Sequence, residues 1–270
     1  MRVLAIGAHP DDMEIACAGT LLKCRARGDE VFVCHLSDGN QGHEIIEPDE
    51  LGVIRCREAQ NSGRLGDLTV MWGGFHDLEI YDNNKESRDK VVDIIKKVDP
   101  DFIITHDPND YMPDHVATSK LVFDACFTAT LPHYKTEVNG KARLTPIYYM
   151  DSLAGVNFNP TEYVDVSEYV DKKLEMLNCH ESQIVWMRDH DGIDFPDMVR
   201  TCCRYRGYQC GADYAAPYVN RIDKVDDATI LLTGQAGDGG VCYMAVCRAV
   251  GEGVHVIGNT LHVGEKADIF

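Results

Sequence analysis

Met1-Arg2-Val3-Leu4-Ala5-Ile6-Gly7-Ala8-His9-Pro10-Asp11-Asp12-Met13-Glu14-Ile15 opens the chain, and the order of residue types in it decides the fold. From Arg2 to Ala8 apolar residues follow one another without alternation, the pattern of a strand buried on both faces of a parallel sheet. A proline stops the run, and a helical pattern begins at Ile15. One histidine and two carboxylates therefore lie at the carboxyl end of a strand, where open α/β sheets place their chemistry. Histidine and aspartate are also ligands for a cation of zinc's hardness, and a spare carboxylate beside them can take a proton from water.

Working outward, strand and helix alternate. Ile15 to Arg27 reads as one helix with Ile15, Ala18, Leu21 and Leu22 on a face and Gly28 as its stop. Val31 to Leu36 is the next strand and ends in the polar loop Ser37 to Gly42. A helix over Asp49 to Leu65 closes at Gly66, and a short strand over Leu68 to Trp72 leads into a loop, Gly73 to Asp77. The apolar stripe Val91, Ile94, Ile95 and Val98 predicts a helix over Arg88 to Val98, broken at Pro100. The strand Asp101 to Thr105 also ends in histidine and acid, His106-Asp107-Pro108-Asn109-Asp110-Tyr111-Met112-Pro113-Asp114-His115. A helix over Pro113 to Ala129, a polar insert over Lys135 to Arg143, strands at Ile147 to Met150 and Tyr163 to Val166, and a helix from Ser167 as N-cap to Ser182 follow. Trp186 to Phe195, rich in Asp and His, reads as loop. From Thr229 on, glycine and β-branched residues predict short strands and turns.

The fold expected is thus α/β, a Rossmann-like and mostly parallel sheet with helices on both faces. One domain over 1–228 carries a small β-rich extension over 229–270 packed on it. A chain of 270 residues with 44% hydrophobic content can bury such a core. With 26 basic against 44 acidic residues and a net charge of -18, its field repels phosphate backbones and anionic lipid, so nucleic acid and membrane surfaces are excluded as partners. No signal-like opening and no apolar stretch of roughly 20 residues is present, and a soluble, cytoplasmic protein is expected. The 11 cysteines are odd in number and form no Cys-x-x-Cys pair, which predicts reduced, mostly buried thiols.

Because neighbouring strands converge at their carboxyl ends, His9, Asp12 and His115 can meet and offer two imidazoles and a carboxylate, with a fourth position left for water. Asp11, not needed as a ligand, is free to act as a base. Each piece has a plainer reading. Asp11, Asp12 or Asp114 alone would serve as a helix cap, and a histidine after a strand is often a loop residue. A nicotinamide site is excluded by a proline and two acids where glycines would cradle a pyrophosphate. A non-haem iron oxygenase shares the ligand types but not the strand-helix alternation, and a catalytically silent metal or sugar binder is a further alternative.

Ala8-His9-Pro10-Asp11-Asp12 with Glu14 resembles the first signature of the PIG-L/LmbE family of zinc-dependent de-N-acetylases, and Pro113-Asp114-His115 its second. Asp38-Gly39, Arg55 with Glu58, Asp77, and Lys173 with His180-Glu181-Ser182-Gln183 extend the similarity over about residues 1 to 220. The resemblance implies a hydrolase that removes an acetyl group from an N-acetylglucosamine-type or related amide. It implies Zn2+, or another divalent cation such as Fe2+, on His9, Asp12 and His115. Asp11 is the implied general base, and Asp114 joins it among the catalytic residues. Asp38, Arg55, Asp77, His106, Tyr111 and His180 are the substrate-binding candidates, the partner is a small N-acetylated molecule, and a homo-oligomer is compatible with all of this. Where many members have a histidine before Pro-Asp-His, this chain has Met112, whose thioether can neither donate to an oxyanion nor protonate an amine. The acid role then falls to Asp11, His106, Tyr111 or His180.

Overall fold

The computed structural model describes residues 1–221 and, beyond them, the backbone of short strands between 229 and 269. The strands are β1 (Arg2–Gly7), β2 (Glu30–Ser37), β3 (Thr69–Phe75), β4 (Phe102–His106), β5 (Ile147–Met150), β6 (Glu162–Asp165) and β7 (Ala215–Arg221). The helices are α1 (Asp12–Ala16), α2 (Ala18–Ala26), α3 (Pro48–Gly66), α4 (Lys85–Val98), α5 (Pro113–Ala129), α6 (Val170–Leu177), α7 (Glu181–Asp191) and α8 (Phe195–Cys210). One sheet runs β3-β2-β1-β4-β5-β7-β6. β1 pairs in parallel with β2 and β4, β2 with β3, and β4 with β5, while β7 lies antiparallel to β5 and β6. The expected Rossmann-like, mostly parallel sheet is what forms.

The unbroken apolar run of β1 finds its reason here. Leu4 and Ile6 pack on one face with Val91 and Ile95 of α4 and Leu121 of α5. Val3 and Ala5 pack on the other with Met13 of α1, Cys17 between the helices and Leu21 of α2. A polar residue at any of these positions would forfeit roughly 1.5–3 kcal/mol of burial. The chain leaves β1 through β2 and β3 on one side and returns to β4 on the other, so strand order reverses between β1 and β4. The crevice at that reversal opens at their carboxyl ends, beside His9 and His106.

Several expectations need correction. The single helix over Ile15 to Arg27 is two, because Cys17 at φ -126° and ψ -1° leaves helical space between α1 and α2. Apolar periodicity runs through the break and so hides it. β3 continues through Gly73 and Gly74 to Phe75, which pairs with Ser37; a Cβ on Gly73 would come within 2.8 Å of the Leu36 backbone. Ser167 is no helix cap: its N–H and hydroxyl both donate to Asp165 Oδ1, at 2.9 and 2.6 Å. α6 begins only at Val170 and ends at Leu177. Trp186 to Phe195 is not loop. α7 extends to Asp191 and stops at Gly192 in the left-handed conformation, and α8 starts at Phe195, capped by Asp194 through the Asp197 N–H at 3.1 Å. The charges that suggested a loop line the exposed last turn of an amphipathic helix.

Five of the nine described cysteines are buried, and Cys17 and Cys24 lie in one core cluster. No helix among the described residues is long and apolar enough to cross a membrane. The expected boundary at 228, the packing of 229–270 on the same domain, and the side chains of Cys242 and Cys247 lie outside the described residues.

Candidate active site

The loop after β1 is fixed before any ligand is considered. Ser37, at the end of β2, donates from its N–H and hydroxyl to the Ala8 carbonyl at 2.8 and 2.9 Å, and His35 Nδ1 donates to the His9 carbonyl at 3.1 Å. The His9 N–H donates to Asp12 Oδ2 at 2.7 Å, which folds the first turn of α1 back over the strand end. His9, Asp11, Asp12, Asp114 and His115 are all buried.

Asp12 is the hub. Its Oδ1 lies 3.3 Å from His115 Nε2 and its Oδ2 3.8 Å from His9 Nδ1. One ligand atom each from His9, Asp12 and His115 falls within 4.8 Å of the others. The remaining ring nitrogens are held by carboxylates: His115 Nδ1 by Asp110 Oδ2 at 3.0 Å, and His9 Nε2 by Asp77 Oδ1 at 3.1 Å and Asp114 Oδ2 at 3.3 Å. Such contacts fix the tautomer and turn the other nitrogen's lone pair toward the centre. His115 Nε2 is buried there with no hydrogen-bond partner, which is how a nitrogen meant for a cation stands. Two imidazoles and a carboxylate with an open fourth position fit a catalytic zinc site.

The carboxylates around these rings set their charge. Burial alone would raise the Asp12 carboxyl, but His115 and His106 outweigh it and hold it well below the usual range. Burial would lower His9 and His115, yet Asp114, Asp12 and Asp77 raise His9 well above its usual value, and Asp12 and Asp110 raise His115 to about 9. His106 stacks on His115 with ring centroids 3.7 Å apart, and burial together with that neighbour lowers it to about 4. Its Nε2 lies 3.0 Å from both the Ala8 nitrogen and Asp12 Oδ2, so the ring is engaged at the strand end and on the hub.

Asp11 stands apart from this cluster. It adopts φ 110°, a conformation rare for a side-chain-bearing residue. Its Oδ2 lies 3.3 Å from Arg55 Nη2, which donates to the Pro10 carbonyl at 2.6 Å, while Nη1 donates to the Gly39 carbonyl at 2.8 Å. Burial pushes the Asp11 carboxyl up to about 6 against the pull of Arg55. A carboxyl so balanced near neutral pH is suited to taking and returning a proton.

A cavity of about 260 Å³ opens over these groups. His9, Asp11, Asp12, Arg55, Asp77, His106, Met112, Asp114 and His115 line it. Three sequence candidates lie off the wall. Asp38 accepts from the Asn40 N–H at 3.2 Å and pairs with His76 at 2.7 Å, Tyr111 is half exposed, and His180 is buried behind the wall, 3.5 Å from Glu14. Asp77 and Asp114 reach the cavity engaged on His9, and Asp114 Oδ2 also accepts the Leu78 N–H at 2.8 Å. Sequence reasoning missed Asp110, Leu78, Trp186, Met187 and Phe195, the last four of which line the cavity. Gln183, Trp186, Met187 and His190 recur at the helical spacing of one face, a signal masked by the surrounding charges.

A family model described as PIG-L: GlcNAc-PI de-N-acetylase matches residues 4–126. The diacetylchitobiose deacetylase of Thermococcus kodakarensis is 30% identical over 227 residues, covering 79% of this chain and 80% of that protein. Among solved structures, the N,N'-diacetylchitobiose deacetylase of Pyrococcus horikoshii superposes with a TM-score of 0.70 at 25% identity, over 81% of this chain and 83% of its own. The 4-carboxy-2-hydroxymuconate hydratase GalB of Pseudomonas putida superposes with a TM-score of 0.72 at 19% identity, over 85% of this chain and 100% of its own, a likeness of fold alone.

Proposed function

Because the chain belongs to the PIG-L/LmbE family of N-deacetylases, we propose that it hydrolyses the acetamide of an N-acetylglucosamine-type sugar with the help of zinc. The observation that carries this reading is the convergence of His9, Asp12 and His115 beside Asp11, in a cavity open to a small molecule. His9 Nδ1, Asp12 and His115 Nε2 would hold the cation. When bound there, a divalent cation polarises an acetamide carbonyl and makes a water more acidic.

The chain's own groups supply the rest. Asp11 takes a proton from the attacking water, whose oxygen bonds to the carbonyl carbon. Arg55 keeps the Asp11 carboxylate aimed and partly compensates its charge. When the carbon–nitrogen bond breaks, the nitrogen needs that proton back. Met112 has none to give, His106 Nε2 is already engaged on Asp12 Oδ2 and the Ala8 N–H, and Tyr111 and His180 lie off the wall. Asp11 therefore returns the proton it took, and acetate and a free amine leave. Asp77, Asp114 and Asp110 act through His9 and His115, whose rings they orient.

The test is acetate and amine release from N-acetylglucosamine and N,N'-diacetylchitobiose by zinc-loaded protein. Activity that disappears with a chelator and returns with metal supports the reading. Metal binding without hydrolysis of any acetamide would instead make this a silent binder.

A further inference from the structure

We propose that the cavity selects an uncharged acetamido sugar whose neighbouring ring or apolar group stacks on Trp186, and discriminates against phosphorylated, nucleotide-linked or carboxylated conjugates. This rests on the deacetylase reading and narrows it.

The first observation is charge. Among the described lining residues Arg55 is the one Lys or Arg, and its Nη atoms are engaged on Pro10, Gly39 and Asp11. Five carboxylates share the wall: Asp11, Asp12, Asp77, Asp114 and Asp151. Asp151 is matched by Arg206 at 2.7 and 2.9 Å, which occupies that guanidinium as well. The helix starts at the cavity are no better for an anion. α1 opens with Asp12, and α5 with Pro113, which lacks an N–H, and then Asp114. A phosphate or carboxylate on the substrate would lose its water here with no fork of donors to replace it.

The second observation is an apolar wall built by α7. Gln183, Trp186 and Met187 stand at i, i+3 and i+4 and all line the cavity. Trp186 is braced rather than loose: its ring stacks on His190 with centroids 4.2 Å apart and meets His43 at 5.4 Å. The Gln183 amide holds the β2 loop through the Gly42 carbonyl at 3.2 Å. On the rim Leu78 is 62% exposed and held at φ 63°, tied by its N–H to Asp114. An exposed leucine kept in a costly conformation and a braced indole on the same cavity wall offer a surface for carbon-bound hydrogens, which the face of a pyranose ring presents. With the reacting His9, Asp12 and His115 buried and Leu78 exposed, the sugar would enter with its acetamide inward.

The experiment compares kcat/KM of zinc-loaded full-length protein for N-acetylglucosamine, N,N'-diacetylchitobiose, N-acetylglucosamine 6-phosphate and UDP-N-acetylglucosamine. The neutral disaccharide should exceed both anions by tenfold or more. Trp186→Ala should raise KM for the disaccharide about three- to tenfold while kcat changes less, with Trp186→Phe retaining most of the affinity. Anions turned over as well as the disaccharide, or an unchanged KM in Trp186→Ala, overturn the proposal. Binding separates its failure from that of the deacetylase reading. The chain has two tryptophans, Trp72 and Trp186, so Trp72→Phe leaves Trp186 emission as the reporter. If no acetamide is hydrolysed the deacetylase reading falls, yet quenching by N,N'-diacetylchitobiose and not by N-acetylglucosamine 6-phosphate still supports the selectivity. Quenching by the phosphate, or by neither, overturns it.

Discussion

Asp11 and Arg55 form the most consequential pair of side chains in the molecule. The guanidinium reads out the positions of two carbonyls, Pro10 and Gly39, and the carboxylate beside it inherits that precision. Asp11→Asn keeps the shape and the cation site but removes the base; kcat should fall two to four orders of magnitude with metal content unchanged, as measured by elemental analysis beside steady-state rates. Gly39 sits at φ 65°, and a Cβ there would collide with the Arg55 guanidinium. Gly39→Ala should therefore lower stability by about 1–3 kcal/mol in urea denaturation and lower kcat with it, whereas a harmless substitution would show that Arg55 is not so constrained. Met112→His places an imidazole on the cavity wall; rate or substrate range should change while zinc stays bound, and loss of zinc would show that this position reaches the cation. His9, Asp11, Asp12 and His115 are legible in the sequence because strand ends and helix starts announce themselves locally. Asp110 is not, and Asp77 is named there only as a substrate-binding candidate, because their contacts depend on which nitrogen of a distant imidazole faces them, and no spacing encodes that.

At the scale of elements, the parallel strands are legible because burial on both faces leaves only apolar residues. α7 is not, because Arg188-Asp189-His190-Asp191 imitates a loop while Ile184 and Met187 quietly pack against the core. The same burial governs the cysteines carried by these elements. It pushes Cys24, Cys34 and Cys126 up to about 12 and raises Cys17 as well. A thiol reagent at pH 8 should leave those four unmodified in the native protein and label them once urea is added, read by peptide mass spectrometry; their alkylation in the folded state would contradict the packing of α1, α2, β2 and α5. Asn84 caps α4 by accepting the Ser87 N–H at 2.8 Å. Asn84→Ala should cost about 1 kcal/mol in the same denaturation experiment, with kcat unaffected.

Across the whole molecule, one topological fact assembles the site: the reversal of strand order between β1 and β4 brings residues a hundred positions apart to one crevice. The alternation of strand and helix makes that reversal readable in outline, while the antiparallel β7 inserted between β5 and β6 has no local signal. The reversal serves a hydratase as well as deacetylases, so the sheet alone does not select the reaction; the groups in the crevice do. The most direct measurement is acetate released from N,N'-diacetylchitobiose by metal-stripped protein as zinc is added back. Activity should rise to a plateau at about one zinc per chain and stay near zero over the same titration in Asp11→Asn. Zinc binding with no acetate at any loading, or equal rates in the wild-type protein and Asp11→Asn, would contradict the account.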